Sequence, residues 1–331
     1  MHQSLGSVLL KNDMKLQYIG GTCNNQLEWF WDFNRKMIAM LEENGYEMSA
    51  VPKVNPISKN PSGWPLHDLF GHKTALNANN LLIANPKTEK ALLFTTFFDL
   101  RMLCGKYCDL PTDNMVQIYS GHFDEAIVAE DGPVFKKIIK PWFFRPWNRE
   151  GGYIENSYKP KNKNLFFRGI NIPRIRACAE QLQELGIPEV DVRFAKTNRN
   201  AYCKMLVEAG VCFSLSGIRD MCNRDIEYWR AGVPFIRPRF TSKLIVDIPD
   251  EVYFPVEWES TMRRQRTPVP VDPKQLAIDV IEKYKEIIDN KKLLKKIADN
   301  GYDFYKKHFT TENIVKESFK LLQKSNILSN D

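Results

Sequence analysis

From Asn164 to Arg237 the chain alternates short apolar runs with stretches of helical periodicity, and that alternation leaves few folds open. The apolar runs are Asn164–Phe167, Val190–Ala195, Val211–Leu215 and Pro234–Arg237, with Val252–Pro255 as a fifth. Helical patterns fall between them at Arg174–Leu185, Ala201–Ala209 and Arg224–Ala231. Apolar runs of this kind, separated by helices, read as strands of a mostly parallel sheet. The first half repeats the scheme more loosely. Lys15–Gly20 reads as a strand, Asn25–Asn44 as a helix stopped by Gly45, and Tyr46–Val51 as the next strand. Pro52–Pro65 is an irregular loop and His67–Asn80 a helical stretch; apolar runs at Leu81–Ala84, Ala91–Phe98 and Met115–Tyr119 extend a mostly parallel sheet. The expected fold class is α/β.

At 331 residues the chain favours two domains rather than one core. The best linker is 141–164, where Pro141, Pro146, Gly151, Gly152 and Pro160 fall among charged residues, and it divides the chain into domains 1–150 and 151–331. No apolar run is long enough to span a bilayer, and the first residues hold only a short apolar stretch around Val8–Leu10, so a cytoplasmic location is expected. The cysteines are odd in number and scattered. Cys104 and Cys108 have no second pair at zinc-site spacing, so neither a disulfide framework nor structural zinc is expected. A net charge of +7 raises the question of nucleic acid. Many of the lysines, however, lie between Lys283 and Lys307 among Glu286, Asp289, Asp299 and Asp303, the make-up of a solvated helix face. No zinc finger or aromatic-basic sheet motif accompanies them, and no nucleic-acid partner is expected.

Two segments carry chemistry. In the first, the strand Leu165–Phe167 runs into Arg168-Gly169 and then a helix with further arginines. In the second, an apolar strand passes through Ser214-Leu215-Ser216-Gly217 into a helix that opens with Asn223, Arg224 and Glu227 and closes on Ala231-Gly232-Val233-Pro234. A strand end beside a helix N-terminus, lined by arginine and small residues, is where an α/β protein holds phosphate: backbone N–H groups point outward and the helix dipole favours negative charge. Lys196 ends the intervening strand on the same carboxyl edge. Glu227 can hydrogen-bond a ribose hydroxyl, or pair with Arg224 or Arg230 on its own helix. Arg168, at the end of a buried strand, needs an anion, either a carboxylate of this chain or a ligand phosphate.

Phe166-Phe167-Arg168-Gly169 with Arg174 or Arg176 following, the block from Phe213 through Arg224 and Glu227 to Pro234, and the tail from Gly301-Tyr302 to Ile314 together resemble glycosyltransferases of the GT-B fold, with the exostosin-like and family-90 (protein O-glucosyl/xylosyltransferase) enzymes as the nearest patterns. The resemblance covers about residues 160–325. It implies two Rossmann-like domains facing a cleft, an N-terminal acceptor domain and a C-terminal donor domain, with C-terminal helices packing back toward the N-terminal one. It implies transfer of a sugar from a nucleotide-diphosphate donor, a UDP-sugar, to a hydroxyl of a glycan or glycoprotein, with no tightly bound cofactor. Donor contacts would come from Arg168, Lys196, Ser214, Ser216, Gly217, Asn223, Arg224 and Glu227. The Glu-x7-Glu pattern of retaining GT-B families is missing, since Arg219 and Phe235 stand where its second glutamate would fall, so an inverting reaction is expected. No Asp-x-Asp motif appears in a plausible loop, and catalysis without a metal fits.

An inverting transfer needs a general base in the N-terminal half. Asp68, after Gly63-Trp64-Pro65 and one turn before His72, is the first candidate; the alternative is a helix cap. His122 with Asp124, and then Asp99, come next. The tryptophans of 141–147 are expected to pack a hinge. A catalytically inactive sugar-binding relative and a basic nucleic-acid-binding protein are the alternatives to an enzyme.

Overall fold

In the first half, the run KLQYIG forms strand β1 (Lys15–Gly20), followed by helix α1 (Glu28–Glu43) and strand β2 (Glu47–Ala50), which pairs parallel to β1. Strands β3 (Asn80–Asn85), β4 (Lys90–Thr95), β5 (Val116–Ser120) and β6 (Ile139–Pro141) complete a six-stranded sheet of order β2-β1-β3-β4-β5-β6. The computed structural model describes residues 15–20, 28–50, 80–85, 87–88, 90–95, 116–120, 139–143, 155–169, 172, 176–194, 198–217, 220–262 and 268–328. One strand departs from the parallel expectation. β3 runs antiparallel to both β1 and β4, because the link between Asn85 and Lys90 is far too short for a parallel crossover and folds as a hairpin.

The second half begins with β7 (Leu165–Arg168), buried along its whole length. Helix α2 (Ala177–Glu184), β8 (Val190–Arg193), α3 (Arg199–Glu208), β9 (Val211–Phe213), α4 (Asn223–Ala231), β10 (Phe235–Pro238) and β11 (Phe254–Val256) follow. All five strands are parallel, in the order β11-β10-β9-β7-β8. Phe167, Phe213 and Ile236 face a core shared with Cys178 and Leu182 of α2 and with Leu276, Val280 and Tyr284 of helix α5 (Pro273–Ile287). Phe166 turns the other way, toward Tyr202 of α3. Phe235 meets Tyr228 and Trp229 of α4, and Trp229 packs edge-on to Phe304 of helix α6 (Lys291–His308). Helices therefore cover both faces, as the apolar strand composition requires. A small antiparallel pair, β12 (Ser260–Met262) and β13 (Pro268–Pro270), precedes α5.

Internal contacts divide the chain into two compact units: residues 1–148 together with 310–331, and residues 149–309. The last helix, α7 (Thr311–Lys324), thus belongs to the first unit. There Trp142, wholly buried between Phe33 and Phe94, donates from Nε1 to Ser318 Oγ at 3.0 Å. Asn85 Nδ2 donates to the Ile327 carbonyl at 2.7 Å, and Lys36 pairs with Glu312. Of the tryptophans expected to pack a hinge, Trp142 lies in this core and Trp147 falls outside the described residues. Residues 155–164 are no free tether: Asn156 and Ser157 donate to the carbonyls of Arg230 and Ala231, and Lys159 and Lys161 to those of Val207 and Glu208.

The C-terminal lysines behave as a solvated face. Lys283–Glu286, Lys295–Asp299, Lys306–Asp303 and Lys320–Glu317 pair at one-turn spacing. No helix among the described residues is long and apolar enough to cross a membrane.

Candidate functional site

The order of the second sheet places its first strand, β7, beside its third, β9, while the chain leaves β7 for α2 on one face and β9 for α4 on the other. The carboxyl ends of β7 and β9 are therefore the topological switch point, where ligands bind in open α/β sheets. Arg168-Gly169 ends β7 there, and Ser214–Gly217 ends β9.

Two guanidinium groups converge on this edge. Arg224, on the first turn of α4, lies with Cζ 4.5 Å from the centre of the Phe167 ring and donates from Nη2 to the Arg168 carbonyl at 2.7 Å. Arg176, at the start of α2, approaches the same ring at 5.6 Å. Gly169 lies against both: a β-carbon there would stand 2.3 Å from Arg176 Nη1 and 2.6 Å from Arg224 Nη2. Both arginines are more than nine-tenths buried. Burial first, and then the charge of Arg224, pull Arg176 down to about 10, yet it stays charged at neutral pH. Arg224 Nη1 has no hydrogen-bond partner. Burial weighs against the Arg224 charge, but its neighbours Tyr228, Cys222, Tyr202 and Glu227 outweigh it and raise its pKa, and the spare Nη1 donor can still take an anion.

The loop after β9 is held by a buried polar network. Asp225 Oδ1 accepts from Ser214 Oγ and from Arg237 Nε at 3.2 Å, and Asp225 Oδ2 accepts the Cys222 N–H at 2.8 Å. Arg237 Nη2 donates to Asp220 Oδ1 at 2.7 Å and to the Asp220 carbonyl, and Nη1 donates to the Pro238 carbonyl. Asp220 Oδ2 accepts the Thr241 and Ser242 N–H groups. Every partner is satisfied, so the network fixes the N-terminus of α4 against the end of β10. The Ser214 hydroxyl is committed to Asp225, and its N–H donates to the Ile236 carbonyl.

The sequence-predicted residues are distributed as follows. Arg168 pairs with Asp191 at 3.2 Å and contacts Met205 Sδ, so its guanidinium meets a carboxylate of this chain while its carbonyl holds Arg224. Burial, ahead of the opposing pull of Asp191, lowers the Arg168 pKa. Ser216 and Gly217 are buried beside the edge, Asn223 is half-buried on the first turn of α4, and Glu227 lies one turn on, accepting from the Tyr202 hydroxyl at 3.0 Å. Lys196, Asp68, Asp99, His122 and Asp124 lie outside the described residues. Sequence reasoning passed over Arg237 and its two aspartates. The signal was present, since Phe235-Ile236-Arg237 repeats the strand-then-arginine pattern of Phe166-Phe167-Arg168 and poses the same need for an anion.

No protein-family model matches the chain, and no curated protein matches it. Among solved structures it is similar to a glycosyltransferase from Rickettsia africae at 10% identity, over 89% of this chain and 88% of that one, with a TM-score of 0.44. It is also similar to Anabaena HepE in complex with UDP-glucose, at 10% identity, over 94% and 100% of the two chains, TM-score 0.43. A third is the C-terminal domain of a group 1 family glycosyl transferase, LpcC, from Francisella tularensis, at 12% identity over 47% and 98%, TM-score 0.33.

Proposed function

We propose that the chain is a glycosyltransferase that moves a sugar from a nucleotide-diphosphate donor, a UDP-sugar, to a hydroxyl of a glycan or glycoprotein, with inversion and without a metal. The observation that carries this reading is the pair of buried guanidiniums, Arg176 and Arg224, packed on Phe167 and Gly169 at the switch point, with one nitrogen of Arg224 still lacking an acceptor. A diphosphate leaving group develops charge as the glycosidic bond breaks, and fixed donors aimed at it lower that barrier. Arg224 and Arg176 stand at the diphosphate, with Arg168, Lys196 and the Ser214–Gly217 loop as the further contacts of the same edge. Asn223 opens the helix that faces it. Glu227 takes the ribose, and Asp68 serves as general base toward the acceptor hydroxyl. The donor is a substrate, and no resident cofactor is part of the proposal.

The test is a transfer and donor-hydrolysis assay across UDP-, GDP- and dTDP-sugars, with and without EDTA, on the parent chain and on Asp68→Ala. The expected result is turnover with a UDP-sugar that EDTA does not change. Asp68→Ala should lower turnover by about a hundredfold or more, in the range of one general base, while donor affinity is kept. Binding without turnover by the parent chain on any donor would instead make this an inactive sugar-nucleotide-binding relative.

A further inference from the structure

Tyr202 is a half-buried phenol at the edge of the site to which the nucleotide assignment gives no task. It stands on α3, a different element from those that carry the phosphate and ribose candidates. Its ring lies beside Phe166 of the central strand, with centroids 6.3 Å apart, and its hydroxyl donates to Glu227 Oε2 at 3.0 Å. Burial, and then the Glu227 carboxylate, push the phenol well above its ordinary value, so it remains a donor across the physiological range. A carboxylate offers about four lone-pair sites, so one bond from a fixed phenol orients the group and still leaves acceptor capacity.

We propose that Tyr202 is a positioning residue that sets the Glu227 carboxylate as a selector for ribose over 2′-deoxyribose in the bound nucleoside diphosphate, an inference that rests on the nucleotide-sugar reading above. Its warrant is geometric. Glu227 lies one turn beyond Arg224 on α4, which sets it next to the anion edge, and a long flexible side chain there discriminates a single hydroxyl only when its orientation is fixed in advance. The Tyr202 bond supplies that restraint from outside α4.

The test is calorimetric titration of the full chain with UDP, 2′-deoxy-UDP and inorganic pyrophosphate, on the parent, Tyr202→Phe, Glu227→Gln and the double variant. The parent should prefer UDP over 2′-deoxy-UDP by roughly tenfold, the size of one hydrogen bond to a charged group. Tyr202→Phe should bring that ratio close to one while pyrophosphate binding is unchanged. Glu227→Gln should do likewise, and the double variant should add nothing further. A Tyr202→Phe protein that keeps the parent's ratio overturns the assignment and leaves the nucleotide reading standing. So does a parent that binds UDP and 2′-deoxy-UDP alike. Loss of pyrophosphate together with UDP in Tyr202→Phe marks a purely structural role and also overturns it. A parent that binds neither UDP nor pyrophosphate overturns the nucleotide reading itself.

Discussion

A β-carbon at position 169 would sit 2.3 Å from one guanidinium nitrogen and 2.6 Å from another, closer than any real methyl group approaches. The glycine of Arg168-Gly169 is thus a spacer that lets Arg176 and Arg224 lie over the same strand end. Its replacement by alanine must move at least one guanidinium, whose side chain is flexible, so the cost falls on binding more than on folding. For Gly169→Ala we expect pyrophosphate or UDP affinity to drop at least about tenfold, the worth of one charge-assisted hydrogen bond, with less than about 2 kcal/mol lost from stability. Titration calorimetry beside urea unfolding separates the two. An alanine variant that binds like the parent removes Gly169 from the site.

Single elements show where local chemistry decides. Arg237 at the end of β10 pairs with two carboxylates, Asp220 and Asp225, that are almost fully buried. Arg237→Met leaves both charges unpaired, and we expect roughly 3–5 kcal/mol of destabilisation in urea, with α4 loosened from β10. A loss under about 1 kcal/mol would show that water reaches these carboxylates. Gly301 in α6 argues the opposite way from ordinary helix propensity. A mid-helix glycine usually gains stability on replacement by alanine, but here the new methyl would meet Trp229 Cδ1 at 2.9 Å and the Val252 carbonyl at 3.2 Å, so the packing of α6 on α4 selects glycine. In the first unit, Glu312 on α7 binds Lys36 of α1. Burial tends to raise the Glu312 pKa, and the Lys36 bond outweighs it, leaving the carboxyl below its ordinary 4.5. Its folded pKa is depressed, so the stabilisation is present above the unfolded value and lost as pH falls through the folded one. Glu312→Gln should therefore cost less than about 1 kcal/mol at pH 7, and parent and variant should converge in thermal unfolding as the pH drops below 4.5. A gap that persists in acid would assign the effect to packing instead.

Across the whole molecule, the apolar strands of the second unit were the most legible feature. Leu165-Phe166-Phe167 and Val211-Cys212-Phe213 are buried on both faces, and burial of that kind writes itself into composition. The hairpin of β3 and β4 was missed: strands alternating with helices read as parallel, although the short link from Asn85 to Lys90 carries the contrary signal. The site was read in part. Arg168 carried a visible need for an anion, which Asp191 meets, whereas Arg176 stands close to Phe167 and Gly169 in the chain but its place over them depends on how the chain turns back at the start of α2. Tyr202 and Glu227 are brought together by two helices, and no spacing in the sequence announces such a meeting. The second unit has its own sheet, its own two-sided helical cover and the entire arginine pair. Residues 149–309 expressed alone should fold cooperatively and bind pyrophosphate within about threefold of the full chain, measured by calorimetry and circular dichroism. An unfolded fragment would show that the segments on either side are needed to complete its core.

The return of α7 to the first unit also orders events during synthesis. Residues up to Asn148 cannot seal the interior around Trp142 and Asn85 until residues 318 and 327 have been translated, because Ser318 and the Ile327 carbonyl are their partners. The later-made half is contiguous and has no such wait. Of the two units, the one begun first is therefore completed last.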